Sequence, residues 1–229
     1  MDLTSSELRR RLAAAGATAD DEVYAYVIDT VKPANGLYRQ TGSAPNWQGH
    51  TLTLCTCKHD MRATLSPDQW RGKWVAGFNG WSLPWHKQQG LVILMRVGET
   101  YGSQAELVQA LRDSGRQGVV SAKDSRFHPF GDLMIPRGPG VPRNPHDPQN
   151  YHPPIPGHAH SPSHSPDGWH DDVDHKGRGG KQAAMLVGEE AFSFCWTRPM
   201  VRRRHPGLTR PYRVWTMAAL LDDLEAVPS

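Results

Sequence analysis

Nowhere in these 229 residues do about 18 apolar residues run together, the length a membrane-spanning helix needs, so no helical span is expected. Cysteine is scarce: three residues, an odd number, do not suggest a disulfide framework, and a reducing cytoplasm is the expected compartment. The N-terminal stretch from Met1 to Gly16 has no long apolar core, which argues against a signal peptide. Charge of one sign is missing only locally, because no Asp or Glu occurs between Glu190 and Asp222. Over the whole chain the net charge is +3, too mild to argue for nucleic acid by itself. Hydrophobic residues make up 38%, a shortfall explained largely by 22 Gly and 19 Pro that are unevenly spread. There is no internal repeat.

What is present reads as a series of short elements. A helix is predicted from about Glu7 to Ala15, capped by Ser5 or Ser6 and stopped by Gly16. Glu22 to Val31, rich in β-branched and aromatic residues, predicts a strand, and Lys32 to Gly49 predicts a loop because of its Pro and Gly. Further strands are predicted at Leu52 onward, at Lys73 to Phe78 and at Leu91 to Val97, the last of them buried. Ser103 and Glu106 form a capping box for a helix that ends at Gly115. Two late strands, Ala183 to Val187 and Ala191 to Trp196, are predicted with a Gly-Glu-Glu turn between them, followed by a helix capped by Thr216. Strands and helices do not alternate regularly. The expected class is therefore α+β: a single domain over residues 1–229, its mixed sheet flanked by a few helices.

Residues 129–181 stand apart. Pro, Gly and His are abundant and aliphatic residues few, so this segment is predicted to be an insertion that is either functional or loosely ordered. It carries His146, His152, His158, His160, His164, His170 and His175, with Asp171, Asp172 and Asp174. His and carboxylate are the ligands of zinc, nickel or iron, but a catalytic metal needs rigid support that such a loop rarely gives. A solvated insertion with adventitious metal affinity is the favoured reading, the stretch from Trp169 to His175 being its exception.

The densest chemistry lies between Leu52 and Arg62, where strand-forming residues end in Cys57, Lys58, His59, Asp60 and Arg62. Cys55 and Cys57 would share a face of a strand, yet lack the spacing of a zinc site, so no metal is assigned there. Cys57 could be a nucleophile if neighbouring cations lowered its pKa, although packed thiols are the commoner case. Arg198, Arg202, Arg203, Arg204, Arg210 and Arg213 form an acid-free basic run whose guanidinium forks suit phosphate.

Tyr24–Asp29, Ala44-Pro45-Asn46, Thr53–Lys58 with Arg62, Trp74–Gly77, Leu91–Val97, Arg126-Phe127, Gly131-Asp132 and Phe192–Trp196 occur in an order that resembles the nucleotide-modification-associated domains of bacteria and phages, of the second or third type. Two departures stand out: His59 replaces the usual Pro after the Lys, and Lys73 replaces an Asp before the Trp-Val strand. The resemblance implies a place in DNA-modification or phage-conflict systems, with a nucleotide or nucleic acid as partner; no membrane partner is expected, because no long apolar run is present. It implies no settled reaction and no particular cofactor.

The leading expectation is a protein acting on a nucleotide or nucleobase. Lys58, an exposed Arg62 and the Arg202, Arg203, Arg204 run would bind phosphate. Asn46 would hydrogen-bond the base, and Asp29, Cys57 and Asp132 would supply acid–base or nucleophilic chemistry. Two other functions compete: a non-catalytic reader of modified nucleic acid, stacking a base on Trp47 or Trp81, and a metal-dependent hydrolase using the Asp171–His175 cluster. The oligomeric state is left open.

Overall fold

Local capping chemistry sets the element boundaries. The Thr4 hydroxyl accepts from the Glu7 amide while the Glu7 carboxylate accepts from the Thr4 amide, so the first helix starts one residue before the predicted Ser caps. The structure is a computed structural model that describes residues 2–80, 88–156, 158, 167–177, 179–203, 208 and 212–226. In chain order the elements are α1 (Ser5–Ala14), β1 (Glu22–Ile28), β2 (Val31–Ala34), β3 (Leu37–Gln40), β4 (Thr53–Leu54), α2 (His59–Arg62), α3 (Pro67–Trp70), β5 (Trp74–Asn79), β6 (Gln89–Tyr101), α4 (Gln104–Asp113) and α5 (Gln117–Lys123). After these come α6 (Asp171–Asp174), β7 (Met185–Cys195), β8 (Val201–Arg203), β9 (Arg213–Thr216), α7 (Met217–Asp223) and β10 (Leu224–Ala226). The class is α+β with a mixed sheet. No described helix is long and apolar enough to cross a membrane.

The chain divides into two compact units, the first formed by Met1–Gln40, Gly72–Val97 and Glu189–Ser229, the second by Thr41–Arg71 and Gly98–Gly188. In the first unit the strand order is β10-β8-β6-β5-β1-β9, with β1 and β5 parallel and the other pairs along this path antiparallel. This sheet curls. Three strands separate β8 from β9, roughly 19 Å apart if flat at the usual strand spacing, yet the Arg203 guanidinium lies 3.8 Å from the centre of the Trp215 ring. The concave side is filled by Leu8 and Leu12 of α1, Val23 and Ala25 of β1, Trp74 and Phe78 of β5, Leu91 and Leu94 of β6, and Leu220 of α7. The predicted loop at residues 32–49 is partly a hairpin, because Asn35 and Gly36 adopt the positive φ that a two-residue turn requires. The two late strands are a single one, β7, since the Gly-Glu-Glu stretch continues extended instead of turning.

In the second unit β4 pairs antiparallel with β7, Thr53 opposite Val187 and Leu54 opposite Leu186. Helices α4 and α5 cover an apolar cluster of Leu107, Val108, Leu111, Val120, Leu133, Ile135, Met185 and Val187. Ser103 caps α4 as predicted, but the Glu106 carboxylate accepts from the Gly102 amide instead of from Ser103.

The described part of segment 129–181 is a built structure. Its few aliphatic residues are grouped, and Leu133, Met134 and Ile135 are all buried. Leu133 bridges to Asp124, His152 donates its amide to the Ile135 carbonyl, and Arg137 donates its amide to Asn150. Tyr151 is fully buried, its hydroxyl donating to the Pro145 carbonyl and accepting from the Ala105 amide. Composition averaged over the segment hid this clustering. His160 and His164 lie outside the described residues.

Candidate functional site

Two polar clusters lie in the second unit, and β4 with the turn after it supplies residues to both. The inner cluster is sealed. The Lys123 ammonium, at the end of α5, donates to the Asn46 carbonyl at 3.1 Å, to the Asn46 side-chain oxygen and to the Thr53 hydroxyl at 2.9 Å. The Thr53 hydroxyl in turn donates to Asp132 Oδ2 at 2.6 Å, so one hydroxyl links a buried cation to a buried anion. The buried Cys55 thiol adjoins this group, and the Asp132 charge helps to push its pKa up after burial. Burial raises the Asp132 pKa and lowers that of Lys123, and their mutual attraction works against both shifts. Gly131 is demanded by this packing, because a Cβ there would come within 2.5 Å of the Lys123 carbonyl oxygen.

Arg62 changes role. Expected at an exposed strand end, it closes α2 and is fully buried. Its Nε donates to the Cys57 carbonyl at 2.8 Å, Nη1 to Ala184 at 2.6 Å and Nη2 to Cys55 at 2.7 Å. Its own carbonyl accepts from the Trp70 indole at 3.0 Å. The planar fork thus ties the end of β4, the start of β7 and α3 together, and a fully buried guanidinium bonded to three carbonyls does not fit the expected exposed phosphate binder. Asn46 is corrected likewise: its side-chain nitrogen donates to the Phe130 carbonyl at 2.7 Å and its oxygen faces Lys123, so the amide is engaged inside the fold instead of reading a base. Asp132, 1% exposed, belongs to the same frame.

The outer cluster is partly open. After β4 the backbone turns through Lys58, whose φ of 56° is left-handed and uncommon for a residue with a Cβ. That turn starts α2 and puts His59 against α6, with His59 Nε2 3.2 Å from Asp172 Oδ1. The His175 ring stacks on His59 at 4.5 Å between centres, and His175 Nε2 lies 3.4 Å from Asp60 Oδ1. Cys57 is half-buried, its sulfur 3.9 Å from both the Ser43 and the Thr56 hydroxyl oxygens. Burial, followed by the nearby Asp172 charge, pushes the Cys57 thiol pKa up. The thiol is therefore protonated at neutral pH, which weakens the nucleophile reading. Burial lowers the Lys58 pKa.

Of the other predicted residues, Asp29 is exposed just past β1 in the first unit. Arg202 and Arg203 lie on β8 of the same unit, where Arg203 Nε donates to Asp223 at 2.8 Å while its guanidinium covers Trp215. Arg203 therefore has a packing role. Arg204 and Trp81 fall outside the described residues. Asp171 is exposed, and among the described residues no three His, Cys, Asp or Glu side chains converge to hold a metal ion.

The pairing of His59 with Asp172 is what sequence spacing could not give, since more than a hundred residues intervene. The only signals were the short Asp-rich stretch after Trp169 and the polar end of β4. Lys123 was missed entirely: a lysine closing a short helix looks like an ordinary surface residue. Compared with known proteins, the chain matches no family model, no curated protein and no solved structure.

Proposed function

We propose that this protein acts on a nucleotide or nucleobase in a DNA-modification or phage-conflict system, through the cluster of Cys57, Lys58, His59, Asp172 and His175. One observation supports this reading: the separated residues Asn46, Thr53–Lys58, Arg62 and Gly131-Asp132, on which the resemblance rests, belong to a single hydrogen-bonded frame, and that frame supports a partly open group of titratable side chains. Lys58 supplies the cation for a phosphate. His59 beside Asp172 forms an imidazole–carboxylate pair suited to moving a proton. Cys57, held protonated, donates a hydrogen bond in this scheme instead of attacking as a thiolate.

The test is thermal melting against a panel of mononucleotides, with mass spectrometry of small molecules that co-purify. A ligand at about a hundred times its Kd adds about 2.7 kcal/mol of stability, a shift of several degrees. Lys58→Asn keeps a residue that tolerates positive φ while removing the ammonium, and it should abolish the shift without lowering the melting temperature of the free protein. A full shift in Lys58→Asn, or no shift with any nucleotide, would overturn the reading.

A further inference from the structure

Among the described residues the large apolar side chains exposed to solvent are Leu37, Phe127, Val141 and Val214, and Phe127, at 66%, is the most exposed and the sole aromatic. It sits on a well-held turn. The Phe127 and His128 amides both donate to the Asp124 carbonyl, and the Gly131 amide donates to His128. The ring is therefore presented outward by a fixed backbone. The Arg126 guanidinium lies 5.1 Å from the centre of that ring and is itself clamped, with Nε 3.0 Å and Nη2 2.7 Å from the two oxygens of Asp124. Asp124 is the acid in contact and its side chain is only 6% exposed, so the surface presents the cation and hides the anion.

Two more basic residues lie on a neighbouring ladder, with the Arg137 Nε donating to the Gln149 carbonyl at 3.1 Å. Arg137 and His152 are brought together by the short ladder in which Arg137 donates to Asn150 and His152 donates to Ile135. The Ile155 amide donates to Ser125, which draws the end of this ladder against the turn that carries Arg126 and Phe127. His152 has its pKa lowered first by burial, then by the charges of Arg126 and Arg137, consistent with their proximity. The result is an exposed ring with one guanidinium held over it, and His152 near enough to feel the charges of Arg126, Arg137 and Asp124, all within one unit.

We infer that Arg126, Phe127, Arg137 and His152 form a docking surface for single-stranded nucleic acid, with a base stacked on Phe127 and phosphates beside the two arginines. A flat ring fixed among cations meets both demands of a strand, a π-face for the base and positive charge for the backbone. A purely apolar protein contact would use the ring but not the guanidinium held over it. The inference is independent of the chemistry at Cys57–His175: a mononucleotide stabilising the protein without any strand affinity would retain that reading and remove this one.

The experiment is fluorescence anisotropy with a labelled oligodeoxythymidine of about 15 nucleotides, long enough to cover one binding surface, titrated at several salt concentrations. The wild-type chain should bind, and more weakly as salt rises. Phe127→Ala should weaken binding by about tenfold or more, the loss of one stacked base, with an unchanged melting temperature because the ring is exposed. Phe127→Trp should retain binding, and Arg137→Gln should lower the salt slope by about one. Equal binding by wild type and Phe127→Ala would overturn the inference. So would the absence of oligonucleotide binding, including the case in which the chain self-associates and Phe127→Ala disperses it.

Discussion

The two units bury different things. Among the described residues of the first, the buried polar side chains are Asn79, Gln89 and Ser193, none charged, and the core is otherwise apolar. Asn79 and Gln89 close strand ends, Asn79 accepting from the Gly90 amide and Gln89 donating to the Leu208 carbonyl. The second unit buries Arg62, Lys123, Asp124, Asp132 and Asp172. Removing a charge from water costs several kcal/mol unless each hydrogen-bonding position is met, so such a unit gains uniqueness of structure more than stability. The first unit is held by apolar packing, and the second by apolar clusters together with the pairing of buried charged groups. The same pairing fixes the positions of Cys57, Lys58 and His59, which is why the candidate site lies in the unit with the charged interior.

The largest expected effect tests that contrast directly. Arg62→Lys keeps the charge but removes the fork that reaches three carbonyls. It should destabilise by about 3–5 kcal/mol in urea unfolding, the cost of leaving buried partners unmet. A volume-conserving change in the first unit, Leu94→Met, should cost less than about 1.5 kcal/mol. Similar losses in the two variants would remove the distinction between the units.

Next in size is the Lys123–Thr53–Asp132 relay. Lys123→Met or Asp132→Asn alone should each cost about 3 kcal/mol, because each leaves one buried charge without its counterpart. The double variant should cost less than the sum by about 1–3 kcal/mol, as expected for groups in one network. Strict additivity in a double-mutant cycle would mean that the two charges do not sense each other through Thr53.

How far these differences were legible follows from range. Apolar periodicity and caps are local, and β1, β5, β6, α4 and α7 follow from them within a few residues. The hairpin at β2 and β3 was hidden because Pro33 sits in a two-stranded ribbon, where a missing amide is tolerated. Lys58 and Cys57 were legible as the polar end of a strand, which is where the structure puts them, just past β4. Arg62 was misplaced because an arginine in sequence shows its charge but not its burial. That burial depends on Ala184, 122 residues away. Asp172 and Lys123 depend in the same way on contacts that no spacing rule encodes.

The smallest effect comes from a charge pair that the second unit keeps near the surface. Arg116 grips Glu99 through two hydrogen bonds of 2.7 and 2.6 Å, and the Tyr101 hydroxyl adds a third at 2.6 Å. These bonds, that from Arg116 first, lower the Glu99 pKa below its ordinary value. A depressed carboxylate stabilises the fold above the unfolded pKa of about 4.3, and the contribution fades as pH falls through the lower folded value. The Glu99 side chain is 40% exposed, so solvent screening limits the contribution to about 0.5 kcal/mol. Glu99→Gln should therefore lower stability slightly at neutral pH, by a difference that shrinks as pH falls below the unfolded value of about 4.3 and through the lower folded one. Urea unfolding of both proteins across that range measures the difference. A gap that persisted undiminished in acid would assign the loss to packing and not to charge, and a gap of several kcal/mol at neutral pH would make this surface pair the equal of the buried ones.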